Sequence, residues 1–115
     1  LTINKEEKMA TIKLNSENFK KEVELSPIPV LVDFFADWCG PCQALAPVLE
    51  ELSSAYIGKC KIGKVNVDEN TDLAVDYQIS SIPALFFFKG GKVVDQVSGA
   101  LPKRSIEEKI NKLLS

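Results

Sequence analysis

The chain has 115 residues, with 14 basic and 16 acidic side chains, no histidine and three cysteines; it can bury one hydrophobic core and is too short for two domains. A formal net charge of −2 with no basic cluster argues against a nucleic-acid or membrane surface, since both need clustered positive charge. The lack of histidine excludes mechanisms that need an imidazole base or ligand, and three cysteines cannot complete a four-ligand zinc or iron–sulfur site.

Residues 1–8 read as an N-terminal extension, expected to be poorly ordered because it offers little to bury. Residues 9–115 read as a single domain. The stretch from Leu1 to Met9 lacks the apolar centre of a signal peptide. Thr11–Leu14 is a short strand candidate. Ser16–Glu24 follows as a helix, with Asn15 or Ser16 as its N-cap. Pro29–Ala36 is a continuous β-rich run, the pattern of a strand buried on both faces. This run and Ile82–Phe88 are the longest apolar stretches, and both fall well short of the roughly 20 residues of a transmembrane helix.

A long helix is predicted from about Cys39 to Tyr56, where Leu45, Val48, Leu49, Leu52 and Tyr56 recur at helical spacing. Pro41 lies near its start, where a missing N–H costs little. Pro47 lies inside it and should kink it. Ile62–Val67 reads as a strand and Asn70–Tyr77 as a short helix. Ala84–Lys89 and Lys92–Ser98 read as strands joined by Gly90-Gly91, a pair suited to a two-residue hairpin turn. Pro102–Leu114 carries Ile106, Ile110, Leu113 and Leu114 on one face of a closing amphipathic helix. The order βαβαβαββα calls for an α/β fold. Its early strands pair in parallel, its terminal hairpin is antiparallel, and helices cover both faces of the mixed sheet.

Trp38-Cys39-Gly40-Pro41-Cys42 is the strongest chemical signal. The two cysteines fall where a buried strand hands over to a helix. That places Cys39 among unpaired backbone N–H groups at the positive helix end, which favours thiolate over thiol. The thiolate is the attacking species in disulfide exchange. Cys42, one turn deeper, should be more shielded. Cys39 is therefore the candidate nucleophile and Cys42 the candidate resolving thiol. A purely structural disulfide would add little, because so small a loop gains little chain-entropy stabilisation. Half a metal site would lack its other half.

Asp33 is the only charged residue in the run Pro29–Ala36. A buried carboxylate tends to raise its pKa, and a carboxyl nearer neutrality can move protons for a cysteine pair. The plainer alternative is a carboxyl that hydrogen-bonds nearby backbone; the CxxC six positions later favours the proton role. Pro83 is awkward just before the apolar run Ala84–Phe88, and a cis bond at a tight turn is one solution, a trans proline at a strand start the other. Cys60 is the odd thiol, either a small packed side chain or a regulatory thiol favoured by Lys59 and Lys61.

The segment Val32-Asp33-Phe34-Phe35-Ala36-Asp37-Trp38-Cys39-Gly40-Pro41-Cys42, followed by Ala46-Pro47, closely resembles the thioredoxin family. So do Lys64-Val65-Asn66-Val67-Asp68, Ile82-Pro83, Phe88-Lys89-Gly90-Gly91 and Gly99-Ala100, so the likeness spans about residues 10 to 114. The resemblance implies the thioredoxin fold, a central five-stranded mixed sheet flanked by four helices. It implies Cys39 as nucleophile, Cys42 as resolving thiol, Asp33 as the buried acid assisting Cys42, Lys64 as the lysine near that acid, and Pro83 as a cis-proline packed against the disulfide. A groove for an extended substrate backbone would involve Trp38, Gly40, Pro41, Ile82, Pro83, Gly99 and Ala100.

The implied activity is general protein disulfide reduction on disulfide-containing targets, with a thioredoxin reductase restoring the dithiol and no bound cofactor or metal. Such a protein is expected to be a cytoplasmic monomer that engages neither nucleic acid nor membrane. Two rival readings remain: a specialised disulfide oxidase or isomerase on the same fold, and a non-catalytic binding subunit. Three positions depart from the family pattern. Ala84 stands where threonine is usual, Phe35 where many members carry tryptophan, and Gln43 where a basic residue is common.

Overall fold

The computed structural model describes residues 11–115. The expectation for residues 1–8 lies outside the described residues. Five strands, β1 (Thr11–Leu14), β2 (Val30–Phe35), β3 (Lys61–Asn66), β4 (Ala84–Lys89) and β5 (Lys92–Ser98), form one sheet in the order β1-β3-β2-β4-β5. Four helical segments connect or follow them: α1 (Lys20–Glu24, wound as a π-helix), α2 (Gly40–Ala55), α3 (Thr71–Asp76) and α4 (Lys103–Leu114). β1 and β2 each pair in parallel with β3, whereas β4 runs antiparallel to both β2 and β5.

The burial of the two apolar runs follows from this order. β2 and β4 are interior strands, and each has five buried residues in succession. Their side chains alternate between two cores. Val30, Val32, Phe34, Phe86 and Phe88 pack with Phe19 and Val23 of the α1 region and Leu73 of α3. Leu31, Leu85 and Phe87 pack on the other face with Leu45, Leu49 and Leu52 of α2 and with Ile106, Ile110 and Leu113 of α4. Each fully buried Leu, Ile or Phe contributes about 1.5–3 kcal/mol. β5 is an edge strand without a buried residue, and Val93 and Val94 are exposed on it.

Between β1 and β2 the chain departs from the expected helix over Ser16–Glu24. Residues 16–18 form a turn, Phe19 is helical, and Lys20–Glu24 follows as the π-wound α1. Asn15 Oδ1 accepts from the backbone N–H groups of Glu17 and Asn18, both at 2.9 Å, and Asn18 Oδ1 accepts from the Asn15 N–H at 2.8 Å. These bonds form a reciprocal cap with Asn15 as the expected N-cap, and the Phe19 N–H on the Asn15 carbonyl at 3.0 Å and the Glu22 N–H on the Asn18 carbonyl at 2.9 Å carry the chain into α1. The helix of α2 runs unbroken through Pro47. Gly90 and Gly91 both have positive φ, +63° and +79°, as a two-residue hairpin turn with the right twist requires. Gly91 is constrained twice, because a Cβ there would meet the Glu24 carbonyl oxygen at 2.5 Å.

Register gathers the motifs at one sheet edge. Phe34 pairs with Ala84 and Ala84 with Ser98, while Phe35 pairs with Asn66. The Val67 N–H also donates to the Phe35 carbonyl at 2.9 Å. So the ends of β2, β3 and β5 and the start of β4 converge, outside the carboxyl ends of the parallel strands, where α/β sheets place their sites.

Candidate active site

α2 begins directly after β2, so the cysteine pair sits at this edge. Cys39 is the N-cap of α2, and its Sγ accepts a hydrogen bond from the Cys42 N–H at 3.2 Å. The Gln43 N–H donates to the Cys39 carbonyl at 3.1 Å. Pro41 occupies the first turn, where no N–H is needed. Cys39 and Cys42 are joined as a disulfide with a Cα–Cα distance of 5.2 Å, within the range such bonds require. The expected contrast in shielding is small in this oxidised state, with Cys39 4% and Cys42 2% exposed. Both pack with Ala36, against Phe35, Val67 and Ile82.

Ile82 therefore touches the cluster that holds the disulfide, and the peptide bond from Ile82 to Pro83 is cis. Pro83 is buried, and its carbonyl accepts from the Gly99 N–H at 2.7 Å. Gly99 has φ +93°, a conformation glycine adopts readily. Exposed Ala100 follows it. Gly40 and Pro41 are exposed on the first turn of α2, and a Cβ at Gly40 would meet nothing within 4 Å. Trp38 is 72% exposed, so this large apolar ring faces solvent beside the pair. Its Nε1–H donates to Asp68 Oδ2 at 2.9 Å.

Asp33 lies two residues after Leu31 and so shares the sheet face covered by α2, the helix that carries Cys42. It is completely buried, and neither carboxylate oxygen has a hydrogen-bond partner. The alternative of a backbone-bonded carboxyl is thereby removed. Burial pushes its pKa from 3.8 up to about 7, and the positive charge of Lys64 moderates that rise. Lys64 is the register partner of Asp33 on β3. Its ammonium sits 4.4 Å from the centroid of the Phe35 ring, an arrangement the ring quadrupole favours. A cavity of about 320 Å3, lined in part by Phe35, Asp37, Lys64 and Asn66, opens beside this pair. A larger cavity of about 800 Å3 lies between β5 and α4 and contains none of the expected site residues.

Two contacts were not anticipated from the sequence. Asp68 anchors the Trp38 indole, and Gln43 Nε2–H donates to the Asp37 carbonyl at 2.6 Å, tying α2 back to the loop before Trp38. The signal for Asp68 lay in the parallel pairing of β2 and β3, which brings residues just beyond both strands together. Gln43 had been noted only for its missing charge. Cys60 stands apart from the site. It packs with the α2 core residues, its Sγ–H donates to the Lys61 carbonyl at 3.4 Å, and burial pushes its thiol up to about 11. That favours the packed side chain over the regulatory thiol.

A two-cysteine couple at a helix N-terminus, beside a cis-proline and over a buried acid without partners, defines a thiol–disulfide oxidoreductase. The thioredoxin family model matches residues 10–112. Thioredoxin 1 of Nostoc sp. is 50% identical over 105 residues, covering 91% of this chain and 98% of the relative. Thioredoxin of Synechocystis sp. is likewise 50% identical over 105 residues, with the same coverage of 91% and 98%. Thioredoxin of Chlorobaculum thiosulfatiphilum is 55% identical over 95 residues, covering 83% of this chain and 88% of the relative. The chain belongs to the thioredoxin family. Among the described residues, no helix is long and apolar enough to cross a membrane.

Proposed function

We propose that the protein reduces disulfides in other proteins by two successive exchanges. In the first, the Cys39 thiolate attacks one sulfur of the target disulfide. A Cys39–target mixed disulfide forms, and the other target sulfur leaves as a thiolate and takes up a proton. In the second, Cys42 passes its proton toward Asp33 and attacks Cys39 Sγ. The target's remaining sulfur leaves as a thiolate and takes up a proton from solvent, Asp33 returns its own proton to solvent, and the Cys39–Cys42 disulfide closes. Two electrons pass to the target, and a thioredoxin reductase returns two to the pair. Lys64 keeps the pKa of Asp33 from rising further. Trp38, Gly40, Pro41, Ile82, Gly99 and Ala100 border the groove in which the target backbone lies against Pro83, pairing in strand fashion. The setting is the cytoplasm and the working form a monomer.

The observation that carries this reading is the orphaned Asp33 carboxyl under α2, titrating near neutral pH. A structural disulfide has no use for such a group. The test is the equilibrium reduction potential of the Cys39–Cys42 couple in a thiol/disulfide buffer. A value near about −270 mV is expected, the established figure for thioredoxin rather than one obtained from this structure. A value near about −120 mV would move the protein to the oxidase class. Cys39→Ser separates catalysis from scaffolding: an enzyme loses turnover, and a binding subunit keeps its partner.

A further inference from the structure

Gln43 binds the chain on both sides of Trp38. Its backbone N–H donates to the Cys39 carbonyl at 3.1 Å, as the helical ladder of α2 requires. Its Nε2–H reaches back past the helix start and donates to the Asp37 carbonyl at 2.6 Å. A further bond holds the ring itself, since the Trp38 Nε1–H donates to Asp68 Oδ2 at 2.9 Å. The loop that delivers Cys39 is thus tied to α2 on one side and to the turn after β3 on the other, while the Trp38 ring stays largely exposed.

The place of Gln43 in the helix gives this clamp its meaning. With Cys39 as the N-cap of α2, Trp38 is the residue before the cap and Gln43 is the fourth residue of the helix. Those two positions often carry apolar side chains that pack on each other and fix the angle at which the chain enters the helix. Here one is apolar, and the other is a glutamine whose amide is engaged on a backbone carbonyl. The entry angle is held by a hydrogen bond instead, and the indole has no apolar partner at position 43 to fold down upon.

We infer that Gln43 is a positioning residue for target binding: its amide sets the loop so that Trp38 stands outward, tied to Asp68, as a preformed wall of the groove beside Cys39. The inference rests on the reductase reading above and adds to it the residue that presents Trp38. A large ring fixed before the target arrives loses little freedom when it is covered, so the burial of its apolar face favours the complex. A small disulfide needs Cys39 and not the wall. An apolar side chain at position 43 would supply the missing half of the packing pair, draw the indole onto α2 and remove the wall.

The experiment compares the intact protein with Gln43→Leu, which removes the donor and supplies the apolar partner, and with Gln43→Lys, which keeps a donor on a long stem. Trp38 is the sole tryptophan, so emission of the oxidised proteins reports its exposure directly. The emission maximum is expected to move to shorter wavelength in Gln43→Leu and to stay in place in Gln43→Lys. The second readout is the ratio of the rate constants with which the dithiol form reduces insulin, a protein disulfide, and bis(2-hydroxyethyl) disulfide, a small neutral one. Both are measured at high salt, which screens the charge that lysine adds. Because the ratio is taken within one protein, changes in Cys39 reactivity or in the folded fraction cancel. It should fall about threefold or more in Gln43→Leu and stay within about 1.5-fold of the parent in Gln43→Lys. An unmoved emission maximum or an unchanged ratio in Gln43→Leu overturns the inference. So does a ratio that falls equally in both variants, because the donor would then be irrelevant. An intact protein inert toward the small disulfide overturns the reductase reading itself, and the inference with it.

Discussion

Replacing Asp33 by Asn removes a buried ionisable group while nearly keeping its shape, and the consequence for stability can be worked out with its sign. The folded-state pKa is raised from 3.8 to about 7, mainly by burial. Between these two values the native state holds a proton that the unfolded chain has lost. Stability therefore falls as pH rises through this window. Well below pH 4 both states are protonated and Asp33 costs nothing by this route. Near pH 8 both are ionised, and the full difference applies, about 4 kcal/mol at about 1.4 kcal/mol for each pH unit. Asn cannot ionise, so the variant escapes the cost. It still buries an amide among the same partnerless surroundings, at a fixed cost of about 1–3 kcal/mol. That cost is independent of pH and cancels when two pH values are compared. Urea unfolding of the oxidised protein should show the stability of Asp33→Asn relative to the parent growing by about 4 kcal/mol between pH 4 and pH 8. A difference that stays flat within about 1 kcal/mol would mean that Asp33 is hydrated or paired in the folded protein. The proton role assigned to it would then lose its basis.

Trp38 is the sole tryptophan and adjoins Cys39. Its emission is expected to change when the pair is reduced, and an identical spectrum after full reduction would refute that coupling. Gly91→Ala places a methyl group 2.5 Å from the Glu24 carbonyl oxygen on a backbone with φ +79°. It should destabilise by more than about 1 kcal/mol; an unchanged urea midpoint would show that the hairpin can move away from α1.

Much of this molecule can be read from local pattern. Alternation in β4 sends Phe86 and Phe88 to one core and Phe87 to the other, and the Gly90-Gly91 turn fixes where β5 begins. The cap at Asn15 was legible, and the structure bears it out; the π winding of α1 was not, because nothing in the side-chain pattern of Lys20–Glu24 separates it from an ordinary helical turn. Cys39, Cys42 and Asp33 stood out because each breaks a pattern: a redox pair at a strand–helix junction and one charge in an apolar run. Asp68 and Gln43 break none. Their roles depend on which strand ends become neighbours and on where an exposed side chain folds back.

Lys64 shows how the site holds a balance that neither residue sets alone. Desolvation alone would carry Asp33 higher, and the Lys64 charge opposes it from the neighbouring strand. The ammonium does so without hydrogen-bonding either carboxylate oxygen, held over the Phe35 ring instead. A direct ion pair would pull the acid down toward the ordinary carboxylate range, where it would be too weak a base for a thiol proton. With no cation nearby, the acid would stay protonated at neutral pH and could accept nothing. Lys64→Gln keeps most of the stem that packs on Phe35 and removes the charge. The Asp33 pKa should then rise above its value of about 7, read from the pH midpoint of its carboxyl carbon resonance in the oxidised protein. The pH profile of mixed-disulfide resolution should move in the same direction. An unmoved midpoint would show that solvent screens the two groups from each other, and that Lys64 serves β3 and Phe35 rather than the acid.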